Sequence, residues 1–499
     1  MRLVVNALPY VAVLLIIALS YLFYPPSYGI DPWRDLTYAA LTNRLGHVVS
    51  YYEAYPYPVI SIWYLVLSCI AGVPLVWSSV IVGITLLCLL SFSSRLFALR
   101  IFENDILTKL LTLLTPYLVL WTVWPIPQFA TLTLFILTLY TILRHPTMLL
   151  FPLIVAIVIT HTGAALWALI LFSLLTLSIK IVKRDRLSLT PVLLIYAMFY
   201  AIYAAFTAVI QPISSALDLI FRSLALESPP QVDIVYMVEH PVHYLVWFFL
   251  VIPPVLSFYV WIHNRQLDRW GLVVEIGYPY AMFSILLGYL GEAFMPVMDW
   301  MRYFGLCGLI IMTIISQGIM KVLKNSVGKV YLCISIALIV VSLLLGGWLP
   351  LIHFYNATSV VAVPSYADSV SLKDLSNIID YGNVLVDSRA GLPLTWLYLE
   401  RGWNYSPEYR GAIVFSNTTE ISFLFIGSSH FKISNQSLNI PGIPNTDIRY
   451  YLNNGYIFIY RPGILTTLDL VLHTDEQTIT IILKEYSKVY NSDRLTVFC

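Results

Sequence analysis

Asp31, Asp35, Glu239 and Arg302 are the side chains through which this sequence could do chemistry. They stand in short polar stretches between long apolar runs. The first stretch reads Gly29-Ile30-Asp31-Pro32-Trp33-Arg34-Asp35, followed by Arg44, His47 and Glu53 among Tyr51, Tyr52, Tyr55 and Tyr57. Another is Met237-Val238-Glu239-His240-Pro241, and a later one runs from Gly291-Glu292 to Asp299-Trp300-Met301-Arg302. A carboxylate within hydrogen-bond reach of a nucleophile can take its proton. A guanidinium offers a planar fork to phosphate oxygens. Acids on separate loops that enter a membrane from one side can line one cavity. Such a cavity suits a lipid-borne polar substrate, whose tail stays in the bilayer while its head group meets the acids.

Each residue also has a plain structural reading. Asp31 before Pro32 makes an Asx-Pro turn or caps a helix that begins near Trp33. Asp35, one turn further on, pairs with Arg34 or Arg44. Glu239 is an acid at a helix start, where the backbone dipole favours it, and His240 beside it bonds a phosphate or caps. Arg302 snorkels to the interface or pairs with Asp299. His161, in Thr160-His161-Thr162-Gly163, reads as an interhelical hydrogen-bonder.

The elements that must hold these residues follow from composition. The chain has 499 residues, 59% of them hydrophobic and 11% charged. Its mean hydropathy is +0.80. Soluble domains carry about 25% charged residues, so most of this chain needs a solvent other than water. Runs such as Val76–Leu90, Leu189–Ile210 and Val330–Leu345 approach the length a helix needs to cross about 30 Å of hydrocarbon. They lack the strict alternation of a membrane barrel. The net charge of +1 leaves no footprint for nucleic acid. Cys69, Cys88, Cys307 and Cys333 lie in apolar segments and read as small buried hydrophobes, with Cys499 the last residue. The first apolar run, 7–24, has Arg2 ahead of it and no small-residue cleavage site behind it, as a retained signal anchor would.

Orientation comes from Lys and Arg, which accumulate near helix ends on the cytoplasmic side. Arg95/Arg100/Lys109, Arg144, Lys180/Lys183/Arg184/Arg186, Arg265/Arg269 and Lys321/Lys324/Lys329 all fall inside under one assignment. It places helices near 7–24, 77–97, 107–123, 129–143, 147–161, 164–180, 189–210, 243–263, 270–291, 303–320 and 330–352. The expected fold is therefore an all-α polytopic membrane bundle of about eleven spans, with the N-terminus cytoplasmic. The first outer loop is 25–76. Val59–Leu75 is apolar, but Pro56, Pro58, Gly72 and Pro74 bracket it. It is placed in that loop as an interfacial or re-entrant helix. Gln128 then stands in the second outer turn, Trp121–Gln128, while Glu103 and Asp105 face inward.

Residues 353–499 differ from 1–352 and regain alternation, as a small α/β domain outside the membrane would. Ser371-Leu372-Lys373-Asp374 reads as a capping box opening a helix through Ile379. Val384–Val386, Ala412–Phe415, Phe423–Ile426 and Tyr456–Tyr460 read as strands, and Asp475–Tyr490 as a helix. The triplets Asn356-Ala-Thr, Asn404-Tyr-Ser, Asn417-Thr-Thr and Asn435-Gln-Ser all follow the last span, as export allows. Neither a phosphate loop, a zinc spacing nor a nucleophile elbow is present.

The ordered set resembles the GT-C membrane glycosyltransferases, and within them the archaeal oligosaccharyltransferase catalytic subunits. The shared order, over residues 1–320, is Asp-Pro-aromatic after helix one, a Pro-Tyr helix into a second outer turn, Val-Glu-His-Pro opening a helix, and a late Arg. The resemblance implies a donor linked to polyprenyl or dolichyl phosphate, acting at the outer face of the plasma membrane on a glycan, protein or lipid acceptor. It implies that Asp31 and Glu239 hold a divalent Mg or Mn ion and position the acceptor, and that Arg302 meets the donor phosphate. Asp35 joins Asp31 and Glu239 as a candidate catalytic acid, and Arg34, Gln128 and His240 join Arg302 as candidate binding residues. Two departures stand out: Gln128 sits where the family has a pair of metal-binding acids, and the Trp-Trp-Asp-Tyr-Gly motif is missing. Trp403-Asn404-Tyr405 is only an echo of it. The other readings are a non-catalytic GT-C-like scaffold presenting the outer domain and a transporter. A transporter wants ionisable residues paired along a path, yet the candidates here cluster at one face, with Glu275 in the 270–291 span the exception.

Overall fold

The structure is a computed structural model. It describes residues 10–11, 14–15, 18, 31–48, 58–102, 122, 125–144, 147–181, 189–206, 283–284, 286–287, 366–407, 412–416, 420–426, 453, 457–460, 488–491 and 496–498. The chain divides into two compact units. The first holds Met1–Ile17, His47–Leu67 and Val80–Pro350, and the second Ala18–Gly46, Ser68–Ser79 and Leu351–Cys499.

The described residues are mostly helical. In chain order the N-terminal helices are α1 (Asp31–Leu45), α2 (Pro58–Ala71), α3 (Leu75–Phe102), α4 (Pro127–Arg144), α5 (Thr147–Thr160), α6 (Thr162–Ile181) and α7 (Thr190–Phe206). Within α3, the 23 residues Leu75–Phe97 are long and apolar enough to cross a membrane. At about 1.5 Å per residue they extend about 34 Å, against about 30 Å of hydrocarbon. Helices α2, α4, α5, α6 and α7 contain shorter apolar stretches. Helix α2 has 14 residues. That gives it a length of about 21 Å. It ends at Gly72, whose φ is 64°. This is the left-handed conformation that closes a helix.

The first unit has an apolar core that includes Leu86, Leu87, Leu90, Phe129 and Phe135, and it also carries apolar side chains on its surface. On α7, Leu194, Ile195, Met198, Ile202 and Phe206 form one stripe by their three- and four-residue spacing. All are exposed, Met198 at 55% and Phe206 at 88%. The buried stripe is Tyr196, Tyr200 and Ala204. Tyr196 turns its hydroxyl inward and donates to Ala165 O on α6 at 2.6 Å. On α3, Ser91, Ser93 and Ser94 are buried while Leu89 and Phe92 are exposed. A contiguous exposed apolar stripe such as that of α7 marks a surface that meets lipid or another protein. The packed side is continuous: the ring of Phe135 on α4 lies 4.9 Å from that of Phe172 on α6, which lies 5.7 Å from Tyr196. The second pair meets edge to face, a favoured aromatic geometry.

In the second unit, α8 (Tyr366–Ile378), β1 (Gly382–Asp387) and α9 (Ser388–Glu400) lead into a seven-stranded sheet. The remaining strands are β2 (Asn404–Pro407), β3 (Ala412–Ser416), β4 (Glu420–Ile426), β5 (Ile457–Tyr460), β6 (Lys488–Asn491) and β7 (Thr496–Phe498). The order is β2-β3-β4-β1-β5-β7-β6. Strand β1, with Val384 and Val386 fully buried, pairs parallel with both β4 and β5. The outer pairs are antiparallel. Helix α9 packs on β1 and β4.

Three sequence expectations need correction. Cys69 of α2 and Cys88 of α3, read as buried, are exposed, because they fall on the outward sides of their helices. Helix α8 opens at Tyr366, so Ser371 lies inside it, buried, and does not cap it. The same Ser-x-x-Asp pattern occurs at Ser365-Tyr366-Ala367-Asp368, one register closer to the observed start. Lys488–Tyr490, expected as the end of a helix, belongs to β6 and pairs antiparallel with β7. Strand pairing there overrides helical periodicity. The rest of that predicted helix lies outside the described residues.

Candidate functional site

Asp31 is the first residue of α1, and the next is Pro32. Proline suits the first turn because its missing N–H has no helical acceptor to lose. An acid is stabilised at this positive end of a helix. Asp35 follows at i+4, on the same side of the helix. Its carboxylate is fully buried and accepts from Arg34 Nε at 3.2 Å, with the Arg34 side chain 24% exposed. Thr37 Oγ1 donates back to Trp33 O at 2.8 Å. Asp35 thus has a structural partner in its own turn, whereas Arg44, the other candidate, is engaged elsewhere.

Arg44 is in the last turn of α1 and reaches the end of α9 within the second unit. Its Nη1 donates to Trp403 O at 2.7 Å and its Nη2 to Gly402 O at 3.0 Å. Those carbonyls belong to a helix end of well-defined type. Gly402, at φ 84°, donates its N–H to Leu399 O at 2.9 Å, and Trp403 N–H donates to Tyr398 O at 3.1 Å. This is the Schellman arrangement, which an apolar contact usually accompanies. Here that contact is an edge-to-face pair of Trp403 and Tyr398 with centroids 5.4 Å apart. The Tyr398 hydroxyl donates to Ile379 O, just past α8. Arg401 lies over the Tyr398 ring at 5.8 Å, within the range of a cation–π contact. Burial raises the Tyr398 hydroxyl pKa well above the usual phenol range; Arg401 partly offsets this and Asp380 adds to it.

Thr122 and Pro125, ahead of α4, meet α3 and α2. Tyr64 of α2, fully buried, donates its hydroxyl to Pro125 O at 3.0 Å. Gly83 of α3 meets the backbone of Thr122 so closely that an added Cβ would collide with the Thr122 carbonyl. Gln128 is the second residue of α4 and is half-buried. Its Oε1 is buried with no hydrogen-bond partner among the described residues. His161 stands between α5 and α6, and its Nδ1 accepts from Ala164 N–H at 3.0 Å. It thereby caps α6.

Of the predicted site residues, Asp31, Arg34 and Asp35 share the first turns of α1, and Gln128 is in the first unit. Glu239, His240 and Arg302 lie outside the described residues. Among the described residues no three His, Cys, Asp or Glu side chains are grouped to hold a metal ion. Hard divalent cations want about six oxygen donors or more. Among the described residues, Asp35 is bonded to Arg34, and Glu239, expected to share a metal with Asp31, lies outside them. Sequence reasoning missed the Arg44 contact because its acceptors are backbone carbonyls 358 and 359 residues away.

Compared with known proteins, the chain matches no protein-family model and no curated protein.

Proposed function

We propose that this protein is an integral membrane glycosyltransferase of GT-C type. It would cross the membrane about eleven times, with its N-terminus cytoplasmic and the α/β unit outside. The donor is a saccharide on a polyprenyl or dolichyl phosphate, and the acceptor is a glycan, protein or lipid hydroxyl or amide. The observation that carries the reading is the placement of Asp31 at the positive end of α1, a helix whose other end Arg44 ties to the end of α9. The exposed apolar stripe of α7 and the span-length apolar run Leu75–Phe97 of α3 support a bilayer as the solvent of the first unit.

In this reading Asp31, with Glu239, accepts the acceptor's proton as its oxygen or nitrogen attacks the anomeric carbon. The bond from that carbon to the phosphate oxygen breaks, and Arg302, with His240, neutralises the departing lipid phosphate. Asp35 and Arg34, bonded to each other, shape the turn that carries Asp31. The test is donor-dependent transfer in purified membranes. Asp31→Asn should slow transfer roughly 10²-fold or more, the usual range for losing a general base. Full activity in a variant carrying both Asp31→Asn and Arg302→Ala would falsify the mechanism.

A second reading, a non-catalytic scaffold that presents the α/β unit, is favoured by Gln128 in place of an acid and by the engagement of Asp35 with Arg34. It predicts no binding of any lipid-linked saccharide, together with a partner retained by the α/β unit.

A further inference from the structure

The strand register brings together two features that are separate in the sequence. Strand β2 begins at Asn404. Asn404-Tyr405-Ser406 is a sequon for attachment of a saccharide to the asparagine amide. In the pairing of β2 with β3, Asn404 lies opposite Ser416. The residue after Ser416 is Asn417, which opens a second sequon, Asn417-Thr418-Thr419. Asn417 itself lies outside the described residues, but its flanks Ser416 and Glu420 pair with each other. The first triplet and the two residues that flank the second, Ser416 and Glu420, thus meet at one end of the β2-β3-β4 part of the sheet.

The chain reaches that end from the surface: Arg401 and Gly402 are exposed, as is Arg44, which holds the carbonyls of Gly402 and Trp403, while Trp403, immediately before β2, is buried. Among the described residues, β2 is also an outer strand of the sheet, paired with β3 alone. An unpaired edge invites a second chain to add a strand, and proteins guard such edges with short strands, proline, charges or bulges. The opposite edge, β6, has Lys488 and a register irregularity between Lys488 and Tyr490, the mark of a bulge. Strand β2 has four residues and ends in Pro407, which guards only its far end. Its near end, at Asn404, has no such residue.

We infer that Asn404 is a modification site, carrying a covalent saccharide that covers the open end of the β2 edge. The inference rests on the outward orientation of the α/β unit proposed above, and not on the protein's own catalysis. In the transfer, the Asn404 amide nitrogen bonds to the anomeric carbon of a saccharide linked to a lipid phosphate. The anomeric carbon–oxygen bond breaks, its electron pair leaves on the phosphate, and the amide proton passes to a base of the transferring enzyme. The hydroxyl at position 406 is required by the triplet, so serine or threonine serves there and alanine does not.

The experiment is peptide mass mapping of the full-length protein purified from membranes of its natural host. The peptide containing Asn404 should be heavier by one saccharide. The increment should vanish in Asn404→Gln and in Ser406→Ala, persist in Ser406→Thr, and be unaffected by Asn417→Gln. Orientation is read separately in intact cells, with a membrane-impermeant thiol reagent on Tyr381→Cys, a position 70% exposed. Labelling of that cysteine with only unmodified Asn404 peptide overturns the inference while leaving the orientation intact. Absence of labelling overturns the orientation and the inference together. Because Ser406→Ala and Ser406→Thr differ little in volume, loss in one and retention in the other cannot be ascribed to misfolding.

Discussion

Arg44 is the residue at which this chain most directly joins distant parts of its sequence. Its guanidinium spans two adjacent backbone carbonyls, so one side chain satisfies acceptors that a helix C-terminus leaves open. Arg44→Ala should weaken the hold of α1 on α9 by about 1 kcal/mol, the value for charge-assisted bonds discounted for solvent exposure. Hydrogen exchange of residues 31–45 should then speed up about five-fold. Arg44→Lys should restore only part of the protection, because an ammonium cannot present a planar fork. Unchanged exchange in Arg44→Ala would mean that the apolar side of α1 docks without the arginine. Tyr398, beneath the same helix end, makes the second unit sensitive to alkali. Its hydroxyl is held protonated by burial, so folded chains keep a proton that unfolded chains lose near about pH 10. Stability from this group is complete below that pH and falls as pH rises through the folded pKa. The expected outcome is a decline in the second unit's melting temperature above about pH 10 that Tyr398→Phe flattens.

At the scale of elements, the α3 backbone at Gly83 and the backbone of Thr122 approach so closely that only a glycine fits. The obstructing atom is a carbonyl oxygen, which cannot rotate away as a side chain does. Gly83→Ala should cost about 2 kcal/mol or more, in the upper part of the range for overpacking. The measurement is thermal loss of monodisperse protein in detergent, and a midpoint equal to that of the unsubstituted protein counts against the close approach. In the sheet, local and distant causes separate strand by strand. Val384–Val386, Ala412–Phe415 and Phe423–Ile426 announce β1, β3 and β4 by their β-branched and aromatic content. The end of the predicted 475–490 helix does not announce β6, because its strand state comes from pairing with β7.

For the whole molecule, the question is which solvent surrounds the first unit. Met198 separates the alternatives, being 55% exposed in the centre of the apolar stripe of α7. In water, Met198→Lys removes an exposed apolar side chain and should leave yield and stability unchanged. In a bilayer, a lysine at mid-helix costs about 3 kcal/mol of insertion. The expected result is a sharp drop in the protein recovered from carbonate-washed membranes, while Tyr381→Lys, in the second unit, changes nothing. Equal recovery of both variants would contradict a lipid-facing α7.

Bulk properties were decided by the sequence alone, because they depend on sums over many residues. A charged fraction of 11% stands beside long apolar runs. Together they specify apolar helices whatever their neighbours. Helices α4 to α7 lie close to the segments read from hydropathy. The acid Asp31 was equally legible, since Asp-Pro marks a helix start by local chemistry. What the tertiary structure decided depends on pairs far apart in the chain, or on burial that no local pattern records. It joined α1 to the end of α9 through Arg44, paired Asp35 with Arg34 inside a buried turn, and set Asn404 opposite Ser416. Such contacts leave little trace in a single sequence, because backbone carbonyls and amides are the same at every residue. Only the fold selects which of them meet.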